Sequence, residues 1–399
     1  SKLPDGTPNA DLRIRVVPSI GEIAAADWDR AANPPTRPYN PFLAHAFLDA
    51  LETSQSAVAR TGWQPQHLVA ETERHAIVGV APCYLKSHSR GEYVFDWGWA
   101  DAYERAGGDY YPKLQVAVPF TPATGPRLLV PEGAQQDAIR IALGAGLAEL
   151  CRLREASSAH VTFLTKPEFD LLGRHGYLQR THQQFHWHNP GYETFEAFLE
   201  ALASRKRKAI RRERRDALAN GITIEALTGS AITEAAWDAF YAFYMDTGSR
   251  KWGRPYLTRA FFSHVGETMR DDILLVMAKR GGRYIAGALN FIGGDALYGR
   301  HWGAVEHHPF LHFELCYYQA IDYAITHRLP RVEAGAQGEH KLARGYLPVT
   351  TYSAHYIADP ALRRGVADFV KRERVQVELA NEQLAEYAPF RKDERADEE

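Results

Sequence analysis

The chain repeats its own ending, and this constrains the fold more than any other feature. Residues 171–186 read LLGRHGYLQRTHQQFH and residues 342–355 read LARGYLPVTTYSAH. Gly176-Tyr177-Leu178, Thr181 and His186 thereby find counterparts in Gly345-Tyr346-Leu347, Thr350 and His355 at a constant offset of 169. A second pair of echoes precedes them in the same order: His67-Leu-Val-Ala and Ile77-Val-Gly79 match Leu274-Leu-Val-Met and Ile285-Ala-Gly287. Two ordered echoes imply tandem copies of one α/β unit. The stretch between the matched glycines is about 39 residues longer in the first copy, which places an insertion near 90–130.

A length of 399 residues accommodates two such units, each able to bury a core. With 47 Lys+Arg against 49 Asp+Glu the net charge is −2, so the molecule as a whole is not built to coat nucleic acid or an anionic membrane. Any polyanion must be bound locally. Cys83, Cys151 and Cys316 are far apart with no CxxC, which argues against a disulfide framework or zinc knuckle and for a reducing compartment. Nowhere do 18 apolar residues run together, and the N-terminus lacks a basic start followed by an apolar core, so the expectation is a cytoplasmic protein without a membrane span.

Hydrophobic period fills in the units. LRIRVV reads as a strand, PFLAHAFLDALETS as a helix opening after Asn40-Pro41, and QPQHLVAETERHAIVGVAPCYLKS as two strands around a polar turn. Residues 131–154 read as a helix, followed by the short apolar strand AHVTFLTK in parallel pairing. The second copy is expected to open with one long helix from about 194, followed by ITIEAL as a strand and an aromatic amphipathic helix. Three antiparallel strands with turns at Gly281-Gly282 and Gly293-Gly294-Asp295 come next, then a helix and the strand RVEAGAQ. The tail from 361 is a charged helix ending in KDERADEE.

The strongest local signal is basic: eight of the eleven residues from 205 to 215 are Lys or Arg. On a helix Leu199, Leu202, Ile210 and Ala217 form the packing stripe, and Arg207, Lys208, Arg211, Arg212 and Arg215 project outward. Such a face is either solvated and partly paired with Glu213 and Asp216, or it meets a phosphate-rich partner such as tRNA or a nucleotide-linked substrate. Arg250 and Lys251 beside Trp252 combine cations with an aromatic ring, which suits phosphate with base or sugar and equally suits a helix end. In the insertion, Trp97, Trp99, Tyr103, Tyr110 and Tyr111 surround Asp96, Asp101 and Lys113, as a ligand wall or a core seal.

SRKRKAIRRERRDALANGITIE, FYMDTGSRKWGRPYLTRAFF, IAGALNFIGGDALYGRHWGA and EHKLARGYLP together resemble the Fem-type peptidyltransferases, tandem GNAT-fold enzymes of peptidoglycan cross-bridge synthesis. Over nearly its full length the chain is still more similar to a bacterial family of predicted N-acyltransferases related to them. The resemblance implies a mixed-sheet α/β fold with two tandem GNAT-like domains, at 1–190 with the insertion and at 191–360, and a C-terminal charged helix and acidic tail at 361–399. It implies transfer from aminoacyl-tRNA to an amine of a cell-wall precursor, with no tightly bound cofactor. In Fem enzymes a lysine near the end of the second copy acts at the reacting carbonyl, and Lys341 in HKLARGY matches it, although His340 replaces the preceding aromatic.

Aminolysis of an ester or thioester passes through an oxyanion that a fixed cation stabilises, and the attacking ammonium must lose a proton to a carboxylate or imidazole. Lys341 is the candidate for the first role and Glu333 or Glu339 for the second, with Glu314, His312 and His340 as further bases. Gly335 and Gly338 would let the backbone approach a ligand closely or simply form the turn. His182, His186 and His188 share one strand parity, but the repeat of His186 at His355 points to packing, and no metal is expected. The glycine loop that holds the pyrophosphate of acetyl-CoA in GNAT enzymes has no equivalent in Glu306–Glu314, which disfavours CoA in the second copy. An ordinary acyl-CoA N-acyltransferase and a non-catalytic RNA- or nucleotide-binding module stand as the alternatives.

Overall fold

The structure, a computed structural model, describes residues 11–392 apart from 134, 252–254, 336, 337 and 339, and only the backbone of 248–251. In chain order the first half holds β1 (Arg13–Val17), α1 (Ala25–Ala32), α2 (His45–Thr53), β2 (Trp63–Pro65), β3 (His67–Glu71), β4 (Ile77–Ala81) and β5 (Cys83–Lys86). It continues through α3 (Trp97–Arg105), β6 (Lys113–Val116), α4 (Gln136–Leu153), β7 (Ser158–Leu164), α5 (Lys166–Gly173) and β8 (Leu178–His188). The second half holds α6 (Phe195–Glu200), α7 (Ser204–Ala217), β9 (Ile222–Thr228), α8 (Glu234–Lys251), α9 (Arg259–Thr268), β10 (Ile273–Arg280), β11 (Arg283–Ile292) and β12 (Ala296–Ala304). A π turn, Glu314–Tyr318, joins α10 (Leu311–Phe313) to α11 (Gln319–Thr326), and β13 (Arg331–Glu333), β14 (Leu347–Ile357) and α12 (Pro360–Glu386) complete the chain.

The repeat is visible in the backbone. β8 and β14 have the same length, and their first residues, Leu178 and Leu347, stand at the offset read from the sequence. The paired glycines occupy equivalent rungs of two antiparallel hairpins, Gly79 opposite Ala70 and Gly287 opposite Met277. Gly281 and Gly282, both with positive φ, form the β10–β11 turn, a geometry that twists with the strands and excludes β-branched residues.

Contacts divide the chain into two compact units: Ser1–His182 with Tyr256–Phe261 and Thr351–Val377, and Gln183–Pro255 with Phe262–Thr350 and Glu378–Glu399. The chain passes from one unit to the other within β8 and within β14. In the first unit β6 runs parallel to β7, and β7 pairs antiparallel with β14. In the second, β9, β10, β11 and β12 form an antiparallel run, β12 is parallel to β13, and β13 is antiparallel to β8. Each unit thus closes its sheet on the final strand of the other repeat.

The expected single helix from 194 is two helices. Thr194 caps α6 by accepting from the Ala197 amide. The chain then breaks because Leu202 bridges to Phe390 and the Ala203 amide donates to the Pro389 carbonyl. A short piece of extended backbone at the chain's end thereby captures 201–203 and turns α7 onto its own axis.

Gly303 on β12 lies against α8, where a Cβ would come within 2.2 Å of the Phe243 carbonyl oxygen. Gly303→Ala is therefore expected to lower stability by about 1–3 kcal/mol, read from the urea midpoint. Gly98→Ala, which meets nothing within 4 Å inside α3, should be neutral or stabilising by up to about 1 kcal/mol.

Candidate active site

In the second unit the parallel pairing of β12 with β13 lasts for three rungs and ends at Tyr298 opposite Glu333. Beyond it β12 continues to Ala304, while the other chain turns off through Gly335 at φ +87°. The crevice at the carboxyl ends of parallel strands is where α/β sheets take ligands. The strands part closely: a Cβ on Gly299 would sit 3.5 Å from the Ala334 Cα and 3.6 Å from the Glu333 carbonyl oxygen.

Glu333 stands at this tip, 4% exposed. Arg331, two residues back on the same face, donates from Nε to Glu333 Oε2 at 2.9 Å, and also reaches Asp295 at 2.7 Å and the Tyr298 hydroxyl at 3.3 Å. The other carboxylate oxygen, Oε1, lies 3.5 Å from His186 Nε2 and is buried without a hydrogen-bond partner among the described residues. His186 is directly opposite on β8, and its Nε2 meets Gln184 Oε1 at 2.8 Å. Burial lowers the imidazole pKa, against the pull of Glu333, so the ring is neutral near pH 7. A buried carboxylate oxygen with unused accepting capacity is equipped to take a proton or an N–H from a bound amine.

Two residues past Glu333, the Gly335 carbonyl accepts from Lys341 Nζ at 2.9 Å. Lys341 is 2% exposed, and burial lowers its pKa to about 7, with the Cys316 side chain opposing that shift and Arg300 adding to it. The amine is thus divided between its charged and neutral forms at neutral pH. Its loop is anchored on α7 and the π turn. The Arg344 guanidinium lies 3.6 Å over the Phe313 ring and pairs with Glu213, which also accepts from the Tyr318 hydroxyl at 2.7 Å. Gly338 packs its backbone on Phe185, where a Cβ would come within 2.1 Å of the ring, so its lack of a side chain serves packing.

The other sequence candidates scatter. Glu339 and Trp252 lie outside the described residues, as do the side chains of Arg250 and Lys251. On α7, Lys208 and Arg212 are exposed, Arg211 is paired with Glu196, and Arg207 is half-buried with Nη2 donating to the Leu202 carbonyl at 3.3 Å. Arg207 therefore departs from the expected outward face. Arg214 turns inward to Glu314 at 2.9 Å and Asp322 at 2.6 Å, which makes Glu314 a structural partner. Lys113 belongs to the first unit, 1% exposed between Asp96 at 2.7 Å and Glu92 at 3.3 Å. A phosphate, the ligand expected for Lys113, could reach it only by displacing one of these carboxylates. Sequence reasoning missed His186 and Arg331 as partners of Glu333; the signal was their shared strand parity.

The strand order, the parting of β12 from β13 and the duplicated hairpins define the class: a tandem GNAT-like fold. A crystal structure of FemX superposes with a TM-score of 0.53 at 13% identity, covering 86% of this chain and 98% of that one. A domain assigned as the C-terminal part of a lysylphosphatidylglycerol synthetase from Agrobacterium fabrum gives 0.53 at 10% identity, with 87% and 96% covered. No curated protein matches by sequence. Residues 19–392 match the FemAB-like family model, described as peptidoglycan biosynthesis/recognition, and the chain belongs to that family.

The buried Lys341 amine predicts a pH signature in stability. Its pKa falls from 10.5 to about 7 on folding, so between those values the unfolded chain binds a proton that the folded chain does not. The penalty of burying the charge is full below pH 7 and is relieved as pH rises. The melting temperature of wild type relative to Lys341→Met is expected to climb between about pH 7 and 10 and to be flat below pH 6.

Proposed function

We propose that the protein is an N-acyltransferase that moves an acyl or aminoacyl group from an activated carrier to an amine, in the synthesis of a peptidoglycan precursor. The observation that carries this reading is the buried Oε1 of Glu333, without a hydrogen-bond partner among the described residues, at the parting of β12 and β13 and two residues from the carbonyl that holds Lys341. The precursor as acceptor rests on the family's description.

The acceptor enters as an ammonium and gives a proton to Glu333. Its nitrogen attacks the carbonyl carbon of the ester or thioester, forming the C–N bond while the carbonyl π pair moves to oxygen. The Lys341 ammonium, with one N–H on the Gly335 carbonyl, has two left for that oxyanion. Collapse breaks the bond to the carrier, which leaves as an alcohol or thiol with the proton held by Glu333, and the carboxylate so freed takes the second proton from the new amide nitrogen and passes it to solvent. Arg331 aims the carboxylate through its Nε–H, and the neutral His186 closes the opposite side.

As the donor, aminoacyl-tRNA is favoured over acyl-CoA. Lys208 and Arg212 offer exposed cations on α7, whereas before α10 the Leu311 amide is used within the turn, on the His308 carbonyl at 3.3 Å. In this reading Arg250 and Lys251 add to the donor surface.

Glu333→Gln is expected to lower kcat by about 10²–10⁴ with KM little changed. Lys341→Ala should cost about 10²–10³, and the wild-type rate should fall as pH rises through 7, where the ammonium is lost. Full transfer activity in either variant would refute the assignment. Neutralising Lys208 and Arg212 should flatten the salt dependence of tRNA binding by about one slope unit per lost contact. A thermal shift of about 2.7 kcal/mol with charged tRNA at 100 times its Kd, and none with CoA, is the expected outcome. Stabilisation by CoA alone would assign the protein to acyl-CoA chemistry.

A further inference from the structure

The first unit's sheet is buried on both faces, and one of them is polar. Cys83, Leu114, Val116, Ala159, Val161 and Ala354 point into an apolar core. The alternate residues, Tyr84, Lys86, Lys113, Gln115, Ser158, His160, Ser353 and His355, share the other face, and each is at most 2% exposed. Strand register sets them in rows: Trp63 opposite Lys86 opposite Lys113, and Tyr84 opposite Gln115 opposite His160 opposite His355. The 87–112 insertion covers this face with Glu92, Asp96, Trp99 and Tyr110, all buried.

Part of the layer is satisfied. Lys113 bridges Asp96 and Glu92, Tyr110 donates to Asp96 at 2.6 Å, and His160 meets His355 at 2.6 Å. Around Lys86 it is not. Trp63 Nε1, Tyr84 OH, His88 Nδ1 and Asp96 Oδ1 are buried without hydrogen-bond partners among the described residues, Glu92 Oε1 has only the ion pair with Lys86, and all of these residues but His88 are more than nine-tenths buried. Lys86 Nζ lies 3.5 Å over the Trp63 ring, 3.4 Å from Glu92 Oε1 and 3.2 Å from the Arg90 carbonyl. Each buried polar group left unpaired costs about 1–3 kcal/mol, so a cluster of them in a packed layer calls for a ligand.

Their chemistry selects its class. Trp63 and Tyr84 offer donors, and Lys86 adds N–H groups. Glu92 and Asp96 offer acceptors, as does His88, whose Nε2 donates to the Thr61 carbonyl at 2.9 Å. The two carboxylates are already paired with the two lysines, so a guest with a net charge would bring one that the layer does not compensate. We infer that this layer is a binding site for a small zwitterion with a carboxylate and an ammonium on adjacent atoms, a free α-amino acid. The carboxylate faces Trp63, Tyr84 and Lys86, and the ammonium faces Glu92 and Asp96. Phe120 packs on Trp63 at 5.4 Å and stacks on half-buried Tyr256 at 4.7 Å. The inference stands apart from the transfer chemistry of the second unit.

The test is calorimetric titration of the full chain with glycine, L-alanine, L-serine and L-lysine, beside N-acetyl-L-alanine and L-alaninamide, which each lack one charge. At least one free amino acid is expected to bind, with both blocked alanines tenfold or more weaker than L-alanine. Tyr84→Phe and Trp63→Phe should each weaken binding by up to about tenfold. Tyr84→Phe removes one oxygen and keeps the test alive if Trp63→Phe does not fold. The same titration in Glu333→Gln should be unchanged, which separates this site from the transfer site. No heat from any of the four, equal binding of the blocked compounds, or binding indifferent to Tyr84→Phe would overturn the inference.

Discussion

Cross-strand pairing at the final strands is the constraint on which the rest depends. In the second unit β13 and β8 set Glu333 opposite His186, and in the first β7 and β14 set His160 opposite His355. His186 and His355 are counterparts in the repeat, so Glu333 and His160 hold equivalent places on equivalent strands. One face of each pair is apolar, with Val332 against Trp187 and Val161 against Ala354. A slip of one residue would put these in the polar layer and the titratable groups in the core, so register is fixed by the hydrophobic effect. The functional geometry is inherited from that.

From this shared frame the two units diverge by what covers the polar face. The first carries the insertion, whose Asp96 and Glu92 enclose Lys86 and Lys113 and leave donors and acceptors unpaired. In the second, the loop between β13 and β14 is anchored by Arg344 on Glu213 and Phe313 and holds Lys341 against Gly335. Burial lowers Lys86 as well as Lys341 to about 7, because desolvation penalises an ammonium wherever carboxylates do not fully repay it. Lys113, with two carboxylates in contact, is shifted upward instead.

Much of this was legible beforehand. The repeat located β8 and β14, the double glycine located the β10–β11 turn, and Glu333 stood among the candidate bases. The split of α6 from α7 was not legible, because it depends on Leu202 and Ala203 meeting residues 389 and 390 at the far end of the chain. Nor was the sorting of the basic run. Arg207, Arg211 and Arg214 read alike in sequence, yet one bonds a carbonyl, one pairs at the surface and one turns inward to Glu314 and Asp322.

By itself the sequence determined the period of each element, the duplication and which residues carry titratable groups, since these follow from local propensity and order along the chain. Tertiary structure alone decided which charges meet. Whether Lys113 faces a phosphate or two carboxylates, and which groups Glu333 meets, depends on residues brought together from distant parts of the chain. Desolvation and Coulomb energies act over a few ångströms of space and take no account of sequence separation.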